Sequence, residues 1–179
     1  MRDNFEAALM PYEIIGAPTD LKGAEALAKQ DPYQFEWWAV DLVNARPAKD
    51  RKKGAGSGVD GYINFFEEHS GQAKKLIVQV EAGHTGVHHV RDLKGTMERE
   101  KAVIGVLITM ETPTKPMLQE AASAGFYTPE HLSGKYPRLQ LFTVAELLDG
   151  KRLDFPVGVN MATFQKAERK SKSEQSRLF

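Results

Sequence analysis

The stretch "KKLIVQVEAGH", residues 74–84, decides how the chain is interpreted. It is a run of apolar β-formers that stops at a glycine, and it carries two polar residues, Gln79 and Glu81, close to that stop. Side chains alternate between the faces of a strand, so Gln79 and Glu81 are neighbours on one face. The residues predicted to pack into the core from the other face are Leu76, Val78 and Val80. The stretch therefore predicts a buried strand that places polar groups at its carboxyl end.

The residues before this strand predict its partner. "VDGYINFF" predicts a strand over residues 59–66, and the second strand covers about residues 75–81. The connection "EEHSGQA" has turn chemistry at Ser70–Gly71, which favours an antiparallel hairpin. The start of one hairpin strand lies beside the end of the other, so Asp60 is expected to approach Gln79 and Glu81.

Helices and further strands surround the hairpin. A short helix capped by Asp20 is expected from about Leu21 to Lys29, and an amphipathic helix capped by Asp31 is expected to end at Pro47. Later segments predict, in order, helix, buried strand, helix, strand and helix: "GVHHVRDLKGTMEREKA", "VIGVLITM", "TKPMLQEAASAG", "RLQLFTV" and "VAELLDG". This order predicts an α/β layered fold with a mixed central sheet flanked by helices.

Composition sets limits on the class of protein. The chain of 179 residues fits one domain: a lead-in over residues 1–30, a main domain over residues 31–150 and a basic, disordered tail over residues 151–179. There is no cysteine, which excludes disulfides and thiolate metal sites, and 24 basic residues balance 24 acidic ones. No apolar run is long enough for a membrane span, and the first residues do not resemble a signal peptide. We expect a cytoplasmic protein.

The polar strand end has two interpretations. Carboxylates of Asp60 and Glu81 with the amide oxygen of Gln79 form a set of hard oxygen ligands that suits Mg²⁺ or Mn²⁺, and Glu36 on the preceding helix is a further carboxylate. A bound metal of this kind polarises a phosphodiester and activates water. The alternative is purely structural, because polar residues at strand ends commonly face water and Asp before Gly is ordinary turn chemistry.

The four segments "QFEWWAVDLV", "GVDGYINF", "LIVQVEAGH" and "RDLKGTMEREKAVIGVLIT" together resemble the restriction-endonuclease-like fold of the PD-(D/E)xK nuclease superfamily, and its Mrr-like branch in particular. The run from about Tyr12 to Gly150 is also similar to a domain at the carboxyl end of some bacterial DNA methyltransferases. The resemblance implies a metal-dependent endonuclease acting on double-stranded DNA, or the nuclease-like domain of a restriction–modification protein.

The resemblance also implies residue roles. Glu36 matches the helix carboxylate, Asp60 the metal-binding aspartate and Gln79 the glutamine that replaces the usual acid. Glu81 falls where the family has its catalytic lysine, so this chain reads "QVE" in place of "QVK". A glutamate cannot supply the positive charge that stabilises the phosphate. The alternatives are therefore a nuclease in which Glu81 is a base or metal ligand, a DNA-binding domain with a decayed site, or an assembly module.

Basic residues mark the surfaces that could contact DNA. Arg51, Lys52 and Lys53 lie in a glycine-rich loop before the hairpin, and Arg91 and Lys94 lie on the helix after it. The alternative for each group is a solvated loop or a face of helical ion pairs. Zinc binding by the cluster "HTGVHH" is disfavoured, because Gly86 places His84 before the helix. A DNA methyltransferase partner or parent chain and a homodimer complete the set of predicted partners.

Overall fold

A central five-stranded sheet with helices on both faces forms the domain. The computed structural model describes residues 16–48, 58–66, 73–130 and 133–156. Within these ranges the helices are α1 (Leu21–Gln30), α2 (Pro32–Leu42), α3 (Val87–Glu100), α4 (Lys115–Ser123) and α5 (Val144–Leu148). The strands are β1 (Arg46–Pro47), β2 (Gly61–Phe66), β3 (Ala73–Glu81), β4 (Ile104–Thr109), β5 (Phe126–Tyr127), β6 (Tyr136–Pro137) and β7 (Leu139–Thr143).

The sheet is mixed. Its strand order is β1-β2-β3-β4-β7, and β5 pairs with β6 in a separate antiparallel ribbon. Strands β1, β2 and β3 are antiparallel neighbours, whereas β4 runs parallel to both β3 and β7. Helix α3 connects β3 to β4 and helix α4 follows β4, as parallel strand pairs require a crossover. The predicted α/β fold with a mixed sheet is confirmed.

Two hydrophobic clusters fill the faces of the sheet. On one face Leu76, Val78 and Val80 of β3 pack with buried residues of α1, α2 and α5. On the other face Ile77 packs with α3 and α4, and its side chain is 1% exposed. All residues of β4 are buried, as predicted for a central strand. Gln79 and Glu81 thus follow the buried Ile77 on the face that packs against α3 and α4.

Side-chain caps fix where the first helices begin. The carboxylate of Asp20 accepts a hydrogen bond from the Gly23 N–H at 2.7 Å, and Asp31 accepts from the N–H groups of Tyr33 and Gln34 at 3.1 Å each. Both predicted caps are confirmed. They satisfy backbone donors that have no partner within a helix.

Several predicted element boundaries were wrong. Helix α2 ends at Leu42 and not at Pro47, because Asn44 adopts a left-handed φ of 54° and residues 46–47 pair with β2 as strand β1. Strand β2 begins at Gly61, not at residue 59, and β3 begins at residue 73. The strands β1, β5 and β6 were missed because two residues carry too little periodicity to predict.

Residues outside the predicted main domain also pack on it. Ala24 of α1 is fully buried in the first cluster, and Leu153 and Phe155 contact the same cluster. The domain boundaries at residues 31 and 150 therefore remain a prediction. The first 15 residues of the predicted lead-in and the predicted tail from residue 157 onward lie outside the described residues. No helix in the described part of the chain is long and apolar enough to cross a membrane.

Candidate functional site

Asp60 lies where β2 begins and holds the end of β3. Its backbone N–H donates to the Val78 carbonyl at 2.8 Å, which continues the register that pairs Gly61 with Val78. Its carboxylate Oδ2 accepts a hydrogen bond from the Val80 N–H at 2.6 Å. Its carbonyl accepts from the Ala48 N–H at 2.9 Å, which ties β1 to the same point. Asp60 thus replaces the ladder bond that β2 does not supply to Val80.

Gln79 and Glu81 contact each other at the end of β3. The Gln79 Nε2 donates to the Glu81 Oε1 at 3.0 Å, so the amide and the carboxylate form one unit. The Gln79 Oε1 atom is buried and has no hydrogen-bond partner. Gln79 precedes Val80 in β3 and Glu81 follows it. Asp60 binds the backbone N–H of the same residue, so Asp60, Gln79 and Glu81 are all positioned next to Val80 along β3.

His89, in the first turn of α3, is an additional residue at this site. Its Nδ1 accepts a hydrogen bond from the Gly86 N–H at 3.0 Å, which places the proton of the neutral ring on Nε2. That Nε2 lies 4.0 Å from the Glu81 Oε2, and the His89 side chain is only 18% exposed. From the sequence, His89 was weighed as a zinc ligand against an ordinary polar residue at the start of a helix near this edge of the sheet. The relevant signal was its position in the first helical turn after the strand.

The structure places Glu36 differently from the trio. Glu36 lies on α2, whose buried residues Phe35, Ala39 and Val40 belong to the cluster on the opposite face of the sheet from Gln79. Glu36 has an interaction of its own, so it is not a free carboxylate. Its role at the site remains a prediction.

Neither Lys75 nor Lys101 lies near Glu81, the position where the resemblance implies a lysine. Lys75 is six residues upstream on β3, roughly 20 Å away at about 3.3 Å per residue, and its Nζ lies 3.6 Å from the Glu100 Oε2. Lys101 follows the far end of α3 in a left-handed conformation with φ of 54°. Lys75 and Lys101 thus both lie at the end of the sheet opposite to Glu81.

The residues at the site supply oxygen ligands for a divalent cation. Two carboxylates and an amide oxygen match the preference of Mg²⁺, and the unpartnered Gln79 Oε1 is an acceptor that a cation would satisfy. In the described ranges no group of three histidine, cysteine, aspartate or glutamate residues is spaced to hold a metal ion. The residue types thus suit a cation, but the described residues do not bring three such side chains together as a metal site.

The predicted DNA-binding residues fall into two groups. Arg51, Lys52 and Lys53 lie outside the described residues. Arg91 donates from Nε to the Glu120 Oε2 at 3.0 Å, which joins α3 to α4, and Lys94 is half-buried. Arg91 is thus paired with a residue of another helix, whereas the alternative weighed from the sequence was an ion pair along α3 itself.

His84 lies before α3, as its position ahead of Gly86 predicted. Its Nδ1 is 2.9 Å from the Glu111 Oε2, and its side chain is exposed. His88 and His89 stack against each other with ring centroids 3.9 Å apart. His84 is therefore engaged with the segment after β4 and is not part of a histidine pair on the helix.

A family model matches residues 33–149, from α2 to α5, and is described as NACHT-associated inactive Restriction Endonuclease 1. The chain belongs to this family. The match covers every strand of the five-stranded sheet and all residues predicted for the site. The predicted relationship to restriction endonucleases is confirmed.

Two solved structures share the fold. The DNA modification-dependent restriction endonuclease AspBHI matches with a TM-score of 0.52 and 17% identity, over 72% of this chain and 33% of that one. The MspJI restriction endonuclease in complex with a 27-mer oligonucleotide matches with a TM-score of 0.51 and 16% identity, over 72% of this chain and 29% of that one. This chain spans about a third of each enzyme. No curated protein matches it significantly.

Proposed function

We propose that this domain binds double-stranded DNA and does not cleave it. The observation that carries the proposal is the Glu81 carboxylate, which the Gln79 amide holds at 3.0 Å. The family resemblance implies a catalytic lysine at this position. Phosphodiester hydrolysis develops negative charge, and a second carboxylate opposes that charge where a cation would stabilise it. A nuclease fold with a glutamate at this position keeps its architecture but lacks the lysine cation that stabilises the negative charge of the reacting phosphate.

Support for DNA as the partner comes from three sources. The fold is that of restriction endonucleases, and one structural neighbour was solved with an oligonucleotide. The basic run at Arg51, Lys52 and Lys53 lies seven to nine residues before Asp60 in the sequence. Lys94 adds a cation on α3. Contacts of this type bind the phosphate backbone and make affinity depend steeply on salt.

The second candidate is a Mg²⁺- or Mn²⁺-dependent deoxyribonuclease, and the buried Gln79 Oε1 without a partner is the observation that favours it. Asp60 and Glu81 would hold the cation with that oxygen. The cation would neutralise phosphate charge and lower the pKa of bound water. In that case the domain would act in a restriction–modification system, with a methyltransferase partner or parent chain and as a cytoplasmic homodimer.

Cleavage and binding assays on the same preparations test the proposal. Methylated and unmethylated plasmids are incubated with the wild type in Mg²⁺ and in Mn²⁺, and affinity for a labelled duplex is measured at several salt concentrations. We expect no cleavage, measurable binding and a steep loss of affinity with salt. Cleavage by the wild type that Asp60→Asn abolishes would favour the nuclease. Absence of DNA binding at low salt would leave the assembly module as the remaining alternative.

Glu81→Lys restores the family lysine and provides a sharper version of the test. Glu98→Lys is the matched control, because it makes the same change of charge on the exposed surface of α3. We expect Glu81→Lys to gain cleavage in Mg²⁺ and Glu98→Lys to gain at most affinity for DNA. Equal cleavage and equal DNA affinity in the two variants would show that the added positive charge, and not its position at residue 81, causes the change.

A further inference from the structure

Helices α1 and α2 leave a groove between them on the side of the molecule away from Gln79 and Glu81. Its volume is about 780 Å³, within the range of roughly 300–1,000 Å³ that is typical of ligand sites. Each helix contributes a stripe with helical spacing. The stripe of α1 is Gly23, Ala26, Leu27 and Gln30, and that of α2 is Gln34, Trp37, Trp38 and Asp41.

Small residues on one helix oppose large rings on the other. Gly23 and Ala26 leave space on α1, and the indole rings of Trp37 and Trp38 line the groove from α2. Trp38 is partly buried and lies 5.9 Å from the Phe35 ring, so it is anchored to the core. The groove thus has a rigid aromatic wall facing open space.

The aromatic wall continues onto the surface. Trp37 is 51% exposed and Tyr33 is 48% exposed, and their rings stack with centroids 5.4 Å apart. Leu21 of α1 is a further exposed apolar side chain on this pair of helices. Contiguous exposed aromatic residues mark binding surfaces, because Trp and Tyr supply large contact areas at little entropic cost.

The polar lining of the groove is acidic. Asp31 and Asp41 are its acidic lining residues, and the lining residues among those described include no lysine or arginine. The carboxylates repel a phosphate backbone, so the groove is not a surface for DNA. They attract ammonium and guanidinium groups, which also bind the faces of indole rings.

We propose that this groove binds a polypeptide segment through its arginine or lysine side chains. The cationic group would lie over Trp37, within reach of Asp41, and the amides of Gln30 and Gln34 would pair with the peptide backbone. A volume of about 780 Å³ admits more than one side chain, which favours a peptide over a single amine. The interaction is separate from the DNA proposal and does not depend on it.

The position of the groove distinguishes it from the site of the nuclease fold. The buried residues of α2 pack on the cluster that contains Val78, whereas Gln79 and Glu81 lie on the face of Ile77. Helix α1 precedes residue 33, where the family match begins. The groove is therefore built partly by an element that the matched region does not contain.

Fluorescence anisotropy with labelled tetra-arginine, tetra-lysine and tetra-glutamate amides tests the proposal on the full chain. We expect saturable binding of the cationic peptides and none of tetra-glutamate. Trp37→Ala should weaken binding of tetra-arginine by about fivefold, the equivalent of roughly 1 kcal/mol from one cation–π contact. Trp37→Phe keeps an aromatic face and should lose less affinity.

Asp41→Asn and Asp92→Asn form the matched pair for the role of charge. Both remove one exposed carboxylate, but only Asp41 lines the groove, since Asp92 is on α3. We expect Asp41→Asn to weaken binding of tetra-arginine and Asp92→Asn to leave it unchanged. Equal losses in both variants, unchanged binding in Trp37→Ala, or no saturable binding by the wild type would each overturn the proposal.

Discussion

At the scale of single residues, Asp60 has a structural role whatever its role toward DNA. Its carboxylate accepts the Val80 N–H at 2.6 Å, at a point where β2 offers no backbone acceptor. Asp60→Ala should lower the free energy of unfolding by about 1–3 kcal/mol, because a partly buried N–H loses its partner. Asp60→Asn keeps an oxygen acceptor and should lose less. Urea denaturation at neutral pH measures both.

This role affects how variants of the site are interpreted. An inactive or non-binding Asp60→Ala variant would combine a lost functional group with a loosened strand end, so Asp60→Asn is the variant to use in functional assays. Asp92→Ala, on the exposed surface of α3, provides the control for loss of a carboxylate and should change stability by less than about 0.5 kcal/mol. Equal stability of Asp60→Ala and the wild type would contradict the structural role.

At the scale of elements, the contact between α2 and β2 depends on Gly61. A Cβ atom at Gly61 would lie 2.6 Å from the Val40 Cγ1 and 3.2 Å from the Arg46 carbonyl, and both neighbours are rigid. Gly61→Ala should therefore destabilise the domain by about 1–3 kcal/mol. Gly95→Ala, in the middle of α3 where a Cβ meets nothing within 4 Å, should instead stabilise it by roughly 0.5–1 kcal/mol.

Thermal unfolding of the two variants in parallel distinguishes packing from a general effect of alanine. The two substitutions are chemically identical, so opposite shifts in Tm can come only from their surroundings. The double variant Gly61→Ala with Val40→Ala removes the clashing methyl groups and should recover part of the loss. A Gly61→Ala variant as stable as the wild type would mean that α2 is less closely packed on β2 than the structure shows.

The start of α5 should make stability depend on pH. Glu146 accepts the Thr143 N–H at 2.9 Å and lies 2.7 Å from the Lys151 Nζ, and the Lys151 interaction followed by the Thr143 bond lowers the pKa of Glu146 below its ordinary value. A carboxyl with a lowered pKa stabilises the folded state above its unfolded pKa, and this contribution is lost as pH falls through its folded pKa.

Glu146→Gln should therefore be less stable than the wild type at pH 7, and the difference should disappear as pH falls below about 4.5. The effect should be small, about 0.2–1 kcal/mol, because the pair is exposed and glutamine can still cap the helix. Urea denaturation across pH measures it. Glu98→Gln on α3 is the control, and a difference that persists at low pH would exclude ionisation of Glu146 as its cause.

The same elements show why sequence predicted some features and missed others. Caps at Asp20 and Asp31, the hairpin and the buried strand β4 depend on local chemistry or on simple alternation, so the sequence was sufficient. The end of α2 depended on a left-handed Asn44 and on pairing of Arg46 with Tyr62, which joins residues distant in the chain. Such non-local pairing is not visible in local patterns.

The candidate site shows the same division. Alternation correctly placed Gln79 and Glu81 together, and the family resemblance identified Glu81 as the departure. The contact of Asp60 with the Val80 backbone, the position of His89 and the groove between α1 and α2 all required tertiary structure.

At the scale of the whole molecule, we expect the folded unit to extend beyond residues 31–150. On the amino-terminal side, Ala24 is fully buried against the core that α2 and α5 cover. On the carboxyl-terminal side, the Gln140 amide donates to the Asp154 carbonyl at 2.6 Å and accepts the Asp154 N–H at 3.0 Å. The Phe155 ring lies 5.7 Å from that of Phe65. These contacts bury apolar surface of the main domain that would otherwise face water.

A fragment of residues 16–156 should therefore unfold cooperatively with a Tm close to that of the full chain, whereas a fragment of residues 31–150 should have a lower Tm. The loss should divide between the two ends, because α1 and the segment after Gly150 contact the core at different places. Fragments 16–150 and 31–156 measure each contribution separately, by calorimetry. A fragment of residues 31–150 as stable as the full chain would show that the domain boundaries predicted from the sequence are correct. Helix α1 would then contribute to the groove and not to the stability of the domain.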